Sequence, residues 1–233
     1  MKMIRCITAT AFALALVFSS HNASAQVEIG VKISPSLAFS RTIAQDKYKF
    51  DGEGAKPGFG IGVIADYFFG ANYAVSSGLI YNIKGGNVAY NYSYPDPASV
   101  GGTITKSGKD ELSLQYLEIP VALKLFTNEI TPETRFYFQA GTSLNTMLNA
   151  KVNEKKVDPD GDKYTKRFNT FEIDVLIGIG AERNLGQSTK LFGGITYHRG
   201  LTDADDSYYS DLFGDDKVEL KNNSFSLDLG IKF

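Results

Sequence analysis

Cysteine is almost absent from this chain of 233 residues: Cys6 is the only one. It lies in a segment that reads as a secretory signal peptide. Lys2 and Arg5 precede an uncharged, mostly apolar run from Ile7 to Phe18, and Ala23-Ser24-Ala25 offers a small-residue cleavage site before Gln26. The run is too short to span a bilayer, which takes about 20 apolar residues. Residues 1–25 are therefore expected to be removed, leaving a mature domain over residues 26–233 with no thiol. That excludes disulfide staples and cysteine-ligated metals. An excess of either charge is lacking too. The cut takes the 24 basic residues to 22 against 26 acidic ones, a net charge near −4 that gives no reason to expect a nucleic-acid partner. A second long apolar run is also missing, and mean hydropathy is only −0.14. A helical membrane protein is thereby excluded. A transmembrane β-barrel is not, because alternating strands give a weak hydropathy signal.

What is present is a period of two. Val27, Ile29, Val31, Ile33, Leu37 and Phe39 alternate with Glu28, Gly30, Lys32, Ser34 and Ser36. Similar alternation recurs around Phe59–Phe69, Val75–Lys84, Tyr116–Leu125, Arg135–Asn145, Phe171–Glu182, Lys190–His198 and Ser224–Phe233. These make about eight two-faced strands, with no comparable helical periodicity. Connections alternate as well. Short ones hold Gly70-Ala71-Asn72, residues 127–134 and residues 185–188, and longer polar ones run over residues 40–56, 93–109, 153–167 and 202–221. Short turns at one rim and long loops at the other predict an all-β fold: a closed, up-and-down, antiparallel transmembrane β-barrel with short periplasmic turns and long extracellular loops.

A soluble lipocalin-like barrel would share this meander but put its apolar face inside. The polar face here carries Gly, Ser and both signs of charge: Glu28, Lys32, Asp66, Lys84, Glu118, Lys124, Arg135, Glu172, Asp174, Glu182, Asp228 and Lys232. Small residues and opposite charges suit the narrow lumen of a barrel of about eight strands, which side chains just fill. Aromatics gather at the strand ends, with Tyr67, Phe68, Phe69, Tyr73, Phe126, Phe136, Tyr137, Phe138 and Phe233 towards the short turns. Phe39, Tyr81, Phe171 and Tyr197 lie towards the long loops, as lipid–water girdles would require. In the last strand Phe225, Leu227, Leu229, Ile231 and Phe233 would face lipid, while Asp228 and Lys232 point inward. A one-residue slip would send those charges into hydrocarbon at about 2–4 kcal/mol for the lysine near the midplane. An open edge in lipid would leave backbone groups unpaired, so the last strand must pair with the first. The same apolar row ending in Phe233 looks like the signature by which bacterial outer-membrane proteins are handed to the barrel-assembly machinery. The expected location is the bacterial outer membrane, in contact with its lipid and lipopolysaccharide.

The stretch "LQYLEIPVALKL", Leu114 to Leu125, resembles the Y-L-E-I-P-h-h-h-K segment of the PorT-like outer-membrane β-barrel proteins of Bacteroidetes. "EIGVKISPSLAFS" and "SSGLIYNIKGG" are similar to that family's first and third strands. The resemblance implies an eight-stranded outer-membrane barrel and, through the family's named member, a link to type IX secretion and hence to envelope or secretion proteins as partners. Within the segment, Pro120 removes a ladder donor, so a local break in pairing is expected there. Glu118 is expected to join an interior ion-pair network with Lys32, Lys124 or Arg135.

Signals of chemistry are sparse. After cleavage His198 is the only histidine, and an enzymatic reading would make it a general base for a hydroxyl such as Ser207. No G-x-S-x-G stretch accompanies it, and a hydrogen-bonded lumen residue is the plainer reading. "DPDGDKYTKRF", Asp158 to Phe168, invites calcium, but its Gly161 comes too early and Asn169 stands where the bidentate Glu is needed, so it reads as a turn. No catalytic residue, metal or cofactor is assigned. The loop holding Asp203, Asp205, Asp206, Tyr208, Tyr209 and Phe213 is the candidate for binding divalent cations or a partner at the surface. The expected function is thus a non-enzymatic structural or surface-interaction barrel. A secretion accessory and a small lipid-modifying enzyme are the alternatives.

Overall fold

A backbone in lipid has no water to bond, so period-two segments are stable there only as a ring in which every strand has two neighbours. The computed structural model describes residues 27–52, 54–95, 102–186, 188–214 and 217–233. It contains such a ring. The strands are β1 (Val27–Ile43), a two-residue β2 (Asp51–Gly52), β3 (Lys56–Gly70), β4 (Tyr73–Pro95), β5 (Thr103–Phe126), β6 (Thr134–Val152), β7 (Phe171–Asn184), β8 (Lys190–Gly200) and β9 (Glu219–Lys232). All pairings are antiparallel between neighbours, and β1 closes on β9 from Gly30↔Lys232 to Ile43↔Glu219. Setting aside β2, which pairs with β4 at Asp51↔Ala89 and Gly52↔Val88 alone, the ring has eight strands. The signal peptide expected over residues 1–25 lies outside the described residues.

The outer face follows the alternation. Phe225, Leu227, Leu229, Ile231 and Phe233 all stand exposed on the wall, as do Val27, Ile29, Val31 and Ile33 beside them. On the opposite parity Asp228 and Lys232 are buried in the lumen. Near the long-loop end, Phe39, Phe225 and Tyr197 form an outward ladder across three strands, with centroid separations of 6.3 and 4.6 Å.

Three features depart from the sequence reading. The strands run further at the long-loop end, so that most of the loop expected over residues 93–109 is a continuation of the β4–β5 hairpin, paired as far as Pro95↔Thr103. Above the bilayer a strand no longer needs an apolar outer face, so the polar residues Asn91, Ser93, Thr105 and Ser107 pair there without giving a lipid-facing pattern. A one-and-a-half-turn helix, α1 (Tyr208–Phe213), closes the last loop. And Phe68, Phe126 and Tyr137, grouped above with the girdle, point inward and pack with Ala74 as an apolar plug at the short-turn end of the lumen. Tyr137 can enter because Gly180 and Gly194, on neighbouring strands, leave bare backbone where any Cβ would collide with its ring. At Pro120 the β4–β5 ladder is interrupted between Ser77↔Val121 and Ile80↔Glu118 without a change of register. There the Ser77 hydroxyl donates to the Pro120 carbonyl oxygen at 2.9 Å.

Candidate functional site

Alternation sends every second side chain of a strand, here the charged ones, into a space that water barely enters, and buried charges persist only when paired and hydrogen-bonded. The lumen is accordingly a stack of ion pairs. Nearest the short turns, the Lys232 ammonium contacts Asp66 at 2.8 Å, Glu28 at 3.3 Å and Glu182. Lys124 also reaches Asp66 at 3.0 Å, Arg135 reaches Glu182 at 3.2 Å and Lys190 reaches Glu28. The Arg135 guanidinium lies 4.1 Å from the Phe126 ring centroid and 5.1 Å from that of Phe68, so the apolar plug and the charges share one layer. At mid-height Lys32 pairs with Asp228 at 3.4 Å, and Asp228 accepts hydrogen bonds from Ser34 and Thr196, both at 2.7 Å.

A third layer lies below the long-loop mouth. Lys84 is 2.5 Å from Asp174 and 3.8 Å from Glu118, and it donates to the Asn145 side-chain oxygen at 2.9 Å. Asp174 also accepts from Ser143 and Asn145, and Glu172 accepts from Asn222 at 2.8 Å. All twelve charged residues of the polar face, among them Glu28, Lys32, Glu118, Lys124, Arg135, Glu172, Asp174, Asp228 and Lys232, therefore point inward. The pairing expected for Glu118 is different. Its cation is Lys84, and Asn82 donates to it at 2.8 Å, while Lys32, Lys124 and Arg135 are engaged by other carboxylates. Which residues meet across a barrel depends on strand tilt, and alternation alone does not give that. Between the layers is an enclosed polar cavity of 30 Å³, room for about one or two waters, bordered by Glu118, Lys124, His198 and Asp228.

His198 belongs to this network. Its Nδ1 is 3.3 Å from Asp174 and 3.9 Å from Glu118, below the mouth of the lumen. Ser207 is in the last loop, where its amide donates to the Arg167 carbonyl, and no hydrogen bond joins it to His198. In the Asp158 turn, the Oδ1 accepts from the Asp160 and Asp162 amides, and the Oδ2 from Arg167. That carboxylate is committed to backbone and guanidinium. Among the described residues there is no group of three or more His, Cys, Asp or Glu side chains spaced to hold a metal ion.

The long loops share a core. Tyr48, Tyr164, Phe168, Ala204, Tyr209, Phe213 and Val218 from the connections pack with Val88, Leu112, Leu114, Tyr116 and Leu220 from the strand ends. Phe213 sits at the centre, its ring centroid 4.8 Å from that of Tyr48 and 5.2 Å from those of Phe50 and Tyr90. The barrel mouth is thus roofed by a folded cap. Of the residues singled out as a binding loop, Asp206 is exposed and Tyr208 half-buried, but Tyr209, Phe213 and Asp205 are buried inside this cap. A polar loop sequence with scattered aromatics hides this, because most of their partners come from other loops and from the strand ends. On the outer surface of the cap a cleft of 370 Å³ is lined by Tyr90, Asp158, Tyr164, Arg167, Tyr208 and Asp211. Arg167 bridges Asp158 at 3.1 Å and Asp211 at 2.8 Å across it.

Asp205 fastens α1. Its carboxylate accepts from the amides of Tyr208, Tyr209 and Ser210 at 3.1–3.4 Å. Burial outweighs those donors and, with the Asp203 charge adding to it, pushes the Asp205 carboxyl up to about 7. An unfolded Asp titrates near 3.9, so the folded cap holds this proton more tightly than the unfolded chain does. The stability it contributes is full below about pH 4 and is lost as pH rises through about 7. Amide exchange at Tyr208–Ser210, corrected for intrinsic rates, should therefore show protection falling between about pH 4 and 7 in the native protein and falling less steeply in Asp205→Asn, where the raised Asp203 and Asp110 carboxyls remain. Equal slopes in the two proteins would refute this.

A closed ring of eight antiparallel strands, an apolar outer wall, a salt-bridged lumen and a capped mouth form one architecture. A family model described as "Outer membrane protein beta-barrel domain" matches residues 18–206. The chain belongs to this family. Membership places the barrel in the bacterial outer membrane. No curated protein matches the sequence. Similar solved structures include Neisserial surface protein A, at 15% identity over 90% of this chain and 99% of that one, with a TM-score of 0.46. OprG of Pseudomonas aeruginosa is 12% identical over 88% and 95%, with a TM-score of 0.46. Ail of Yersinia pestis, in complex with the heparin analogue sucrose octasulfate, is 13% identical over 89% and 99%, with a TM-score of 0.38. The likeness to these structures is one of fold alone.

Proposed function

We propose that this outer-membrane barrel is a non-enzymatic, non-conducting protein that presents a folded cap to a partner at the cell surface. The observation that carries this reading is the cap itself. Its loops share a single aromatic core over a lumen filled by ion pairs, so the surface it offers is preorganised, and preorganisation lowers the entropic cost of binding. The cleft of Tyr90, Tyr164, Tyr208, Arg167, Asp158 and Asp211 is the part of that surface best equipped for recognition, with rings and charges held in place by neighbours. Lipopolysaccharide sugars and envelope proteins are the partners within reach. His198 is held between Asp174 and Glu118 for a structural purpose, and no catalytic role is assigned to it.

The second reading is an accessory role in secretion, supported by the resemblance of the Leu114–Leu125 segment to PorT-like proteins. Four inward residues of that segment have structural tasks in the barrel. Leu114 and Tyr116 join the cap core, Glu118 meets Lys84 and Lys124 meets Asp66. The segment therefore argues for shared architecture more than for a shared partner. Cross-linking on intact cells, followed by capture from detergent extract, separates the readings. Cross-links that map to the cap and disappear with Arg167→Ala support the surface role. Cross-links confined to the short turns favour the secretion role, and a barrel that comes alone contradicts both.

A further inference from the structure

At the short-turn end the lipid-facing wall carries a dent. Ala181 on β7 and Gly193 on β8 are paired neighbours, with Phe136 on one side and Leu229 on the other. Outward positions around them are large: Phe138, Ile179, Ile195 and Leu227 form the next row towards the membrane centre. The result is an apolar groove of 670 Å³ along Phe136, Phe138, Ile179, Ala181, Ile195 and Leu227. A second hollow of 280 Å³ adjoins it over Ala181, Gly193 and Leu229, and Arg183 stands at its mouth.

Arg183 occupies the outward row below Ala181, next to the β7–β8 turn. Adjacent same-face rows are about 7 Å apart, so Arg183 stands one row nearer the short turns than Ala181, with the groove running from there towards the strand centres. The other cations of this rim are spoken for, Arg135 by Glu182, Lys190 by Glu28 and Lys232 by Asp66. The Arg183 side chain is exposed and makes no hydrogen bond or ion pair among the described residues. Glu129 and Glu133, the acidic residues of the neighbouring turn, are exposed and form no ion pair with it. An unpaired guanidinium facing lipid is unusual, and its forked donors match a phosphate.

We propose that this groove is a binding site for one glycerophospholipid of the periplasmic leaflet. An acyl chain fills the hollow over Ala181 and Gly193, and the phosphate is held by Arg183. The site rests on the membrane-embedded reading of the barrel and is independent of what the cap binds. It gives the wall one fixed lipid on the face formed by β6, β7, β8 and β9.

Native mass spectrometry of the full-length barrel, released from its own membrane in mild detergent, tests this. The wild-type protein should carry a single phospholipid adduct. Arg183→Ala should lower adduct occupancy by about tenfold or more, the effect of losing one charge-assisted contact. Ala181→Leu, which fills the dent and keeps the arginine, should lower it as well. Arg199→Ala, an exposed cation near the long-loop end of β8, should leave it unchanged. Each variant is first shown to be folded by its mobility shift on boiling. An adduct that survives both groove substitutions, a wild-type barrel with no phospholipid, or an adduct that proves to be lipopolysaccharide overturns the proposal. So does a wild-type dimer dissociated by Ala181→Leu, since the groove would then be occupied by a second copy of the chain.

Discussion

Lys84→Met should lower the unfolding free energy of the refolded barrel by about 3–5 kcal/mol, the cost of leaving buried charge without its partner. The reason is the arithmetic of its layer. Glu118, Asp174 and Glu172 are all buried there, and among the described residues no other lysine or arginine makes an ion pair with any of them. His198 is the other basic side chain in contact there among the described residues, and methionine fills the volume of Lys84 without replacing the charge. The layer near the short turns behaves differently, because there Lys124, Arg135 and Lys190 each keep one carboxylate company when Lys232 is removed. Urea unfolding in detergent, followed by the boiled and unboiled mobilities, measures the change. A companion substitution that also removes the opposing carboxylate, Lys84→Met with Asp174→Leu, should recover part of the loss, since two residues in one network do not act additively. A single variant within about 0.5 kcal/mol of wild type would mean that water reaches this layer.

Phe213→Ala should melt the cap and leave the ring intact. Phe213 is buried against Tyr48, Phe50, Tyr90, Tyr92 and Tyr209, which come from two loops and the extended β4 hairpin. Deleting a buried phenyl ring costs about 3–5 kcal/mol, and a six-residue helix has no reserve of its own to absorb the loss. The strands below are held by separate ladders and ion pairs. Protease cleavage over residues 201–218 should therefore rise sharply in the variant, with the heat-induced mobility shift unchanged. Loss of that shift would show that cap and ring unfold as one unit.

The wall was legible in the sequence because lipid leaves little choice. Alternation at Ser224–Phe233 names both the face and the register, and the hydrocarbon cost of a slipped Lys232 enforces it. Closure of β9 on β1 followed from the same physics. Inside, the sequence told which residues point inward but not which ones meet. Glu118 stands opposite Ile80 and Lys84 opposite Leu114, so the two meet on a diagonal between strands that no single strand records. Phe68 and Tyr137 looked like girdle residues by their place near strand ends. Their parity, shared with Asp66 and Gln139, was the signal that they face the lumen. The cap was the least legible part. Tyr48, Tyr90, Tyr164, Tyr209 and Phe213 are scattered over most of the chain in polar surroundings, and they form a core only when the ring brings their loops together.

Planar-bilayer recording with the refolded native barrel tests most directly the claim that this is a sealed, capped wall and not a pore. Three layers of ion pairs, the Phe68–Phe126–Tyr137 plug and an internal cavity of only 30 Å³ predict a flat baseline at every voltage short of membrane breakdown. Reproducible unitary current steps from protein that still shows its heat-induced mobility shift would contradict the account.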